Sequence, residues 1–299
     1  MFKYLSSAIF LKMAIAKKIT DIKELKLIAN QIRQDIINSL VSAGSGHSAG
    51  PLGMTDVFTA LYFNVLHHDP KNPLWEDRDR LILSNGHICP VQYATMANAG
   101  YFQREELLTL RKFGTRLQGH PHRGSLPGIE VTSGPLGSGL GQACGIALGG
   151  LMDKKKFRVW CLTSDGEHEE GVFWESVMFA GKYRIHNLTV VVDRNNIQID
   201  GNTEDIMPLE NLRAKYEAFN WHVIEVSGNN LSSIINALEE SKTIYEKSTC
   251  IIAHTIPGKG VTFMEGDYEW HGKPPTKEQA VIALAELQEE RKRIQNNEE

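Results

Sequence analysis

Apolar residues along the chain alternate between two spacings. Runs of strand length occupy 157–162, 188–192 and 249–253, and they are rich in Val, Ile, Leu and Cys. Two shorter ones, 80–83 and 222–226, have the same character. Between them the period changes to that of a helix. Ile22, Leu25, Ile28, Ile32, Ile36 and Leu40 recur every three or four positions, so a helix is expected from a capping box at Asp21 and Glu24 to about Val41. Further helices are expected at 54–66, 90–97, 104–113, from Gly141 to about Met152, and at 169–183, 209–219 and 231–242. A second capping box, Thr276 with Gln279, opens the last helix, which carries Val281, Leu284 and Leu287 on one face. Its charged end, 289–299, is expected to fray.

Strand 157–162, helix 169–183 and strand 188–192 are joined by short connections. That is a βαβ unit, whose strands are parallel and adjacent. The wider alternation predicts an α/β fold, a doubly wound parallel sheet with helices on both faces. Parallel neighbours deliver their last residues to one edge, where open α/β sheets bind ligands. Asp165 and Asn195, thirty positions apart, are therefore expected side by side. Two readings fit them. A carboxylate and a carboxamide are hard oxygen ligands for Mg²⁺, which completes its shell with phosphate and water. Equally, Asp165 caps the following helix and Asn195 sits in a turn.

The composition narrows the class. With 299 residues, 41% hydrophobic, 23% charged and a net charge of −4, the chain is an ordinary globular one. We expect one domain over 20–299. The mild acidity and the absence of a basic stripe exclude a nucleic-acid interface. No stretch reaches the roughly 20 apolar residues of a membrane span. Cys89, Cys144, Cys161 and Cys250 lie far apart, as buried thiols do in a reducing compartment. Residues 1–16 share an early lysine and small residues near Ala14 and Ala16 with secretory signals. The apolar part is short and broken by Lys12, so residues 1–19 are read as an extension on a cytoplasmic protein.

Four histidines touch a glycine in expected loops: His47 after Gly46, His87 after Gly86, His120 after Gly119 and His271 before Gly272. Glycine lets the backbone approach a ligand, and histidine moves protons near neutrality. Spacing alone does not bring the four together. The run from Gly134 to Gly141 suits a phosphate or a ring, or close helix packing; it is neither a Walker loop nor G-x-G-x-x-G, because Gln142 follows Gly141. Glu167 and Glu169 read as favourable charges at a helix start, whereas Glu170 is placed to face the cleft. Lys273 is a candidate phosphate partner; Lys259 is read as a surface lysine.

These residues, in their order, resemble the N-terminal part of transketolase. The stretches concerned are Ser45–His47 with Gly53–Asp56, Leu83–His87, Gly119–Pro121, Gly134–Gly137, Asp165–Gly171, Asp193–Gly201 and Trp270–Lys273. Asp165-Gly166 through Asn195 is similar to the thiamine diphosphate signature, with Ser164 replacing its first glycine. The resemblance implies that Asp165, Asn195 and the Ile197 carbonyl bind Mg²⁺, with Ca²⁺ as a substitute, and that Gly166 contacts the diphosphate. It gives His87, Gly134 and Leu136 to the thiamine. His47, His120 and His271 go to the sugar substrate and its hydroxyl protons, His271 reaching the cofactor as well. Glu170 falls in a proton network at a subunit interface, and Lys273 near phosphate. Pro257 stands where some relatives carry a phosphate-binding lysine.

Transketolases carry a second half, absent here, which supplies the glutamate that activates the cofactor. The resemblance thus implies the N-terminal subunit of a split transketolase, working on sugar phosphates in a heterotetramer with a C-terminal subunit. A deoxyxylulose-phosphate synthase-like or 2-oxoacid dehydrogenase-like subunit, or a non-catalytic subunit of the same fold, are the alternatives. The three sugar-contacting histidines disfavour the other thiamine enzymes.

Overall fold

The computed structural model describes residues 18–298. Of the expected extension 1–19, residues 1–17 lie outside the described residues. Ile19 accepts a hydrogen bond from Asn64 Nδ2 (2.7 Å) and donates one to Phe63 O (2.8 Å).

Helix α1 (Ile22–Ala43) starts at Asp21, whose side chain accepts from the Lys23 amide. It stops where Gly44 takes a left-handed conformation (φ 65°), the cheap way to end a helix. A loop was expected through residue 53, but 49–53 coil into a short buried helix, α2 (Ala49–Gly53). Its residues have no route to solvent, and helical turns satisfy their backbone groups internally. Next come α3 (Thr55–Ala60), β1 (Arg80–Leu83) and α4 (Cys89–Asn98). The helix expected at 104–113 is only a 3₁₀ segment, Arg104–Thr109.

The second half supplies α5 (Ser138–Met152), β2 (Val159–Ser164), α6 (Gly171–Tyr183) and β3 (Leu188–Asp193). A small antiparallel ribbon, β4 (Ile197–Gln198) with β5 (Gly201–Asn202), and one turn, α7 (Thr203–Ile206), were not foreseen. Then follow α8 (Leu212–Ala218), β6 (His222–Ser227), α9 (Leu231–Ser241), β7 (Thr249–His254) and α10 (Lys277–Asn296). The capping box at Thr276 and Gln279 forms as expected. The fraying expected of 289–299 does not occur over the described part. Lys23 Nζ donates to Gln295 O (2.7 Å) and Arg291 to Leu27 O (3.2 Å), so α1 holds the end of α10.

The five long strands form one parallel sheet in the order β1-β2-β3-β7-β6. Alternate side chains face opposite layers. Trp160, Leu162, Val191 and Ile251 pack with α1, α3, α4, α9 and α10. Val159, Cys161, Val190, Val192 and Ile252 pack with α5, α6 and α8. All four cysteines are buried and unpaired by disulfides. No helix among the described residues is long and apolar enough to cross a membrane.

Candidate active site

Strands β2 and β3 pair from Val159↔Leu188 to Ser164↔Asp193, so the next residues of both strands emerge together. The Asp165 amide donates to Asp193 O (3.1 Å). The Asp165 carboxylate is buried and accepts from the Gly166 amide (2.8 Å), the Asn196 amide (2.7 Å) and Arg194 Nη1 (3.2 Å). Asn195 accepts from the Ile197 amide at Oδ1 (3.0 Å) and donates Nδ2 to Asp193 (2.7 Å). Asp193 also accepts a short hydrogen bond from Thr255 Oγ1. Against three buried carboxylates, Asp165, Glu167 and Asp193, stands one buried guanidinium, Arg194, which pairs with Asp165 and is also bound by Glu204 and Glu210. Burial pushes the pKa values of the three up, to about 6 for Asp165 and about 7 for Glu167 and Asp193.

That excess of negative charge, with lone pairs still open on Asp165 and Asn195, fits a divalent cation. Among the described residues, no three His, Cys, Asp or Glu side chains form a metal group. A cation here would need ligands beyond the protein's carboxylates, as Mg²⁺ with a phosphate has.

The histidines converge. The rings of His47, His87 and His271 form a triangle with centroid distances of 4.9, 5.2 and 5.6 Å. His120 reaches the same cleft: a methyl placed on Gly86 would lie 3.2 Å from its Cδ2. The loop carrying His271 is tied to the loop carrying His47 by Ser48 Oγ donating to Lys273 O (2.5 Å) and by the Gly258 amide donating to Ala49 O (2.9 Å). Burial is the main cause that lowers the pKa of all four, His47 to about 4 and His87 well below 6.5. They are neutral near pH 7, able both to give and to accept hydrogen bonds.

Gly50 joins the two clusters. A methyl on it would stand 2.8 Å from Ile88, next to His87, and 4.0 Å from Asp193 Oδ2. Within the cleft, His47 Nδ1, both side-chain polar atoms of Asn85 and Ser133 Oγ are buried without a hydrogen-bond partner. Native interiors satisfy nearly all such groups, so a polar ligand is the natural partner.

The remaining sequence candidates fall as follows. Gly166 is in close approach, its added methyl 3.2 Å from Gln198 Oε1. Gly134 and Leu136 are half-buried in the turn before α5, and Glu170 is exposed at the N-cap of α6. Lys273 Nζ lies 4.7 Å over the Trp270 ring. Lys259 pairs with Glu265 (3.2 Å) and lines a separate cavity with Arg33 and Asp56.

Sequence reasoning missed Arg111. Its guanidinium passes over Gly119, where a methyl would meet Nε at 2.5 Å, and helps depress the pKa of His47 and His120. It lines a cavity of about 590 Å³ with Lys112, His120, His122 and Ser133, and among the described residues no carboxylate side chain lines it. Only the paired glycines Gly46 and Gly119 hinted at a side chain crossing there.

His168, behind the loop that carries Asp165, is structural. Its ring nitrogens face Ser164 O and Tyr216 Oη, each at 2.8 Å, and burial lowers its pKa to about 3. Below pH 6.5 the unfolded chain takes up a proton there that the fold refuses, so stability falls with pH. The slope is about half its full value at pH 6.5 and approaches about 1.4 kcal/mol per pH unit further below. His168→Gln removes this term. Relative to the parent chain, the variant is expected to gain about 1 kcal/mol on going from pH 6.5 to 5.5, read by urea unfolding at each pH. An unchanged difference would refute a buried neutral imidazole.

Comparison with known proteins agrees with this geometry. A family profile described as "Transketolase, thiamine diphosphate binding domain" matches residues 24–289. The 6-deoxy-6-sulfo-D-fructose transketolase subunit of a Clostridium species is 42% identical over 262 residues, covering 88% of this chain and 95% of that protein. An apulose-4-phosphate transketolase subunit of Phocaeicola vulgatus is 38% identical, covering 90% and 95%. Human transketolase is 37% identical, covering 89% of this chain but 42% of its own length. Among solved structures, the transketolase of Leishmania mexicana superposes with a TM-score of 0.82 at 30% identity, over 92% of this chain and 45% of that one.

Proposed function

The chain belongs to the transketolase family as the N-terminal subunit of a split transketolase, and we propose that with a separate C-terminal chain it moves a two-carbon ketol unit from a ketose phosphate to an aldose phosphate. The observation that carries this reading is the meeting, in one cleft, of neutral histidines with a buried hard-oxygen pair. Two relatives named as transketolase subunits are covered to 95% of their length, which supports a partner chain. A heterotetramer with two of each chain, in the cytoplasm, is the assembly we propose.

In this reading Asp165, Asn195 and the Ile197 carbonyl hold Mg²⁺, which Ca²⁺ replaces. Gly166, where a side chain would crowd Gln198, lets the backbone approach the diphosphate. His87, Gly134, Leu136 and His271 line the thiamine. Thiamine diphosphate, when bound, supplies the electron sink for the carbanion chemistry. His47, His120 and His271, held neutral by burial, orient the sugar hydroxyls and carry their protons. Arg111, in a cavity that no carboxylate side chain of the described residues lines, and Lys273, on the loop of His271, offer cations to the anionic end of the sugar. Glu170, exposed at the start of α6, faces the assembly interface.

The test is reconstitution. The chain, its C-terminal partner, thiamine diphosphate and Mg²⁺ are mixed with xylulose 5-phosphate and ribose 5-phosphate. Turnover is expected only with both chains. Because relatives are named for sulfofructose and apulose phosphate, a second arm offers an ω-sulfonate ketose and a branched one. Turnover by this chain alone, or no cofactor binding with or without the partner, would reject the proposal.

A further inference from the structure

Glu167 is wholly buried and plays no part in the reaction as described. All the partners of its carboxylate are hydrogen-bond donors. Oε1 accepts a short hydrogen bond from Ser84 Oγ and one from the Gly137 amide (2.6 Å), and Oε2 accepts a longer one from the Ser164 amide (3.4 Å). These donors belong to three different segments: the end of β1, the turn before α5 and the end of β2.

Helix α5 needs this contact. It has 15 residues, no side-chain cap of its own and no acidic residue in its first turn. Its N-cap, Gly137, is left-handed (φ 80°). The first amides of a helix are unsatisfied and favour a negative partner. Here the partner comes from another element. On its other side Gly137 is wedged against α6: a methyl there would lie 2.8 Å from Val172 Cγ1 and 2.9 Å from Glu170 Cβ. Ser84, the other short contact, stands three residues before His87 on the same connection.

We propose that Glu167 is the positioning residue of the cofactor cleft: one carboxylate caps α5 from outside and locks the turn 134–137 to the ends of β1 and β2. The proposal rests on the thiamine diphosphate reading above. In it Gly134 and Leu136, His87, and Asp165 with Gly166 each follow or precede one of the three donors. The sugar-contacting residues do not touch Glu167, so its loss weakens cofactor binding and leaves substrate affinity alone.

The test uses the full chain with its C-terminal partner. Thiamine diphosphate affinity is measured by calorimetry in Mg²⁺, and donor KM at saturating cofactor. Glu167→Ala is expected to weaken the cofactor at least 30-fold with donor KM within twofold of the parent. Glu167→Gln keeps an oxygen for Gly137 and Ser84 and is expected to stay within about threefold. Leu238→Ala, on the buried face of α9, lowers Tm without changing cofactor affinity and serves as the stability control. Equal damage in the Gln and Ala variants would overturn the proposal, as would parent-like cofactor affinity in Glu167→Ala. Should Glu167→Ala fail to fold, Ser84→Ala removes one short contact and is expected to weaken the cofactor with donor KM unchanged; an unaltered affinity there overturns it too. A parent chain that binds no cofactor, with its partner present, defeats the underlying function instead.

Discussion

Asp165→Asn is expected to fold as well as the parent chain and to lose every effect of Mg²⁺. The two expectations have separate causes. In the cation-free fold, Asp165 is a buried charge whose pKa burial has raised to about 6. Its ionised form is therefore strained at pH 7.5, and a neutral isostere costs little. With its single oxygen turned to the Asn196 amide and Arg194, the asparagine gives up only the acceptor for the Gly166 amide, a loss set against relief of the buried charge, and Arg194 retains Glu204 and Glu210. Cation binding is another matter. A hard divalent ion with one protein carboxylate loses most of its attraction when that carboxylate becomes an amide. We expect cofactor affinity in Mg²⁺ to fall by about 10³-fold, equivalent to about 4 kcal/mol, and turnover to fall at least as far. Thermal shift with and without Mg²⁺ plus cofactor is the measurement. A Mg²⁺-dependent rise in Tm in the variant, equal to that of the parent, would remove Asp165 from the metal site.

Why Asp165 was legible and Glu167 was not is a matter of range. Two apolar runs joined by a helix of ordinary length leave parallel adjacency as the expected outcome, and the chemistry at their ends is then neighbouring by geometry. The sheet bears this out in register, Ser164 opposite Asp193. The histidines belong to connections after α1, after β1, after the 3₁₀ segment and after β7. No periodicity links such loops, and only their glycine neighbours marked them. Glu167 was read as a charge favouring its own helix. The one-turn segment Gly166–Glu169 instead turns its side chain inward to cap α5, a contact 30 residues away that leaves no local trace. Arg111 hides for the same reason. Its position over Gly119 depends on a left-handed backbone (φ 59°) in a segment that periodicity assigned to a regular helix.

The glycines of α5 divide into two kinds, and alanine separates them. A methyl on Gly139 would collide with Ser84 Oγ and stand 2.5 Å from its Cβ and 2.6 Å from its Cα. The last contact is to backbone, so rotating a side chain cannot relieve it. Either α5 or the end of β1 must move by about 1 Å, in an interior packed too tightly to absorb the shift freely. Alanine's better helix propensity returns about 1 kcal/mol. Overpacking against backbone costs about 3 kcal/mol or more, so the steric effect decides the sign. Gly145 lies on the exposed face of the same helix, with nothing within 4 Å of an added methyl. There only the propensity gain remains. In the isolated chain, Gly145→Ala is thus expected to raise unfolding free energy by about 0.5–1 kcal/mol, and Gly139→Ala to lower it by about 2 kcal/mol. Denaturant unfolding measures both. Gly139→Ala is further expected to weaken cofactor binding, because the displaced helix carries the turn 134–137 away from Ser84 and Glu167. Stabilisation by both substitutions would mean that α5 is not seated on β1 as described.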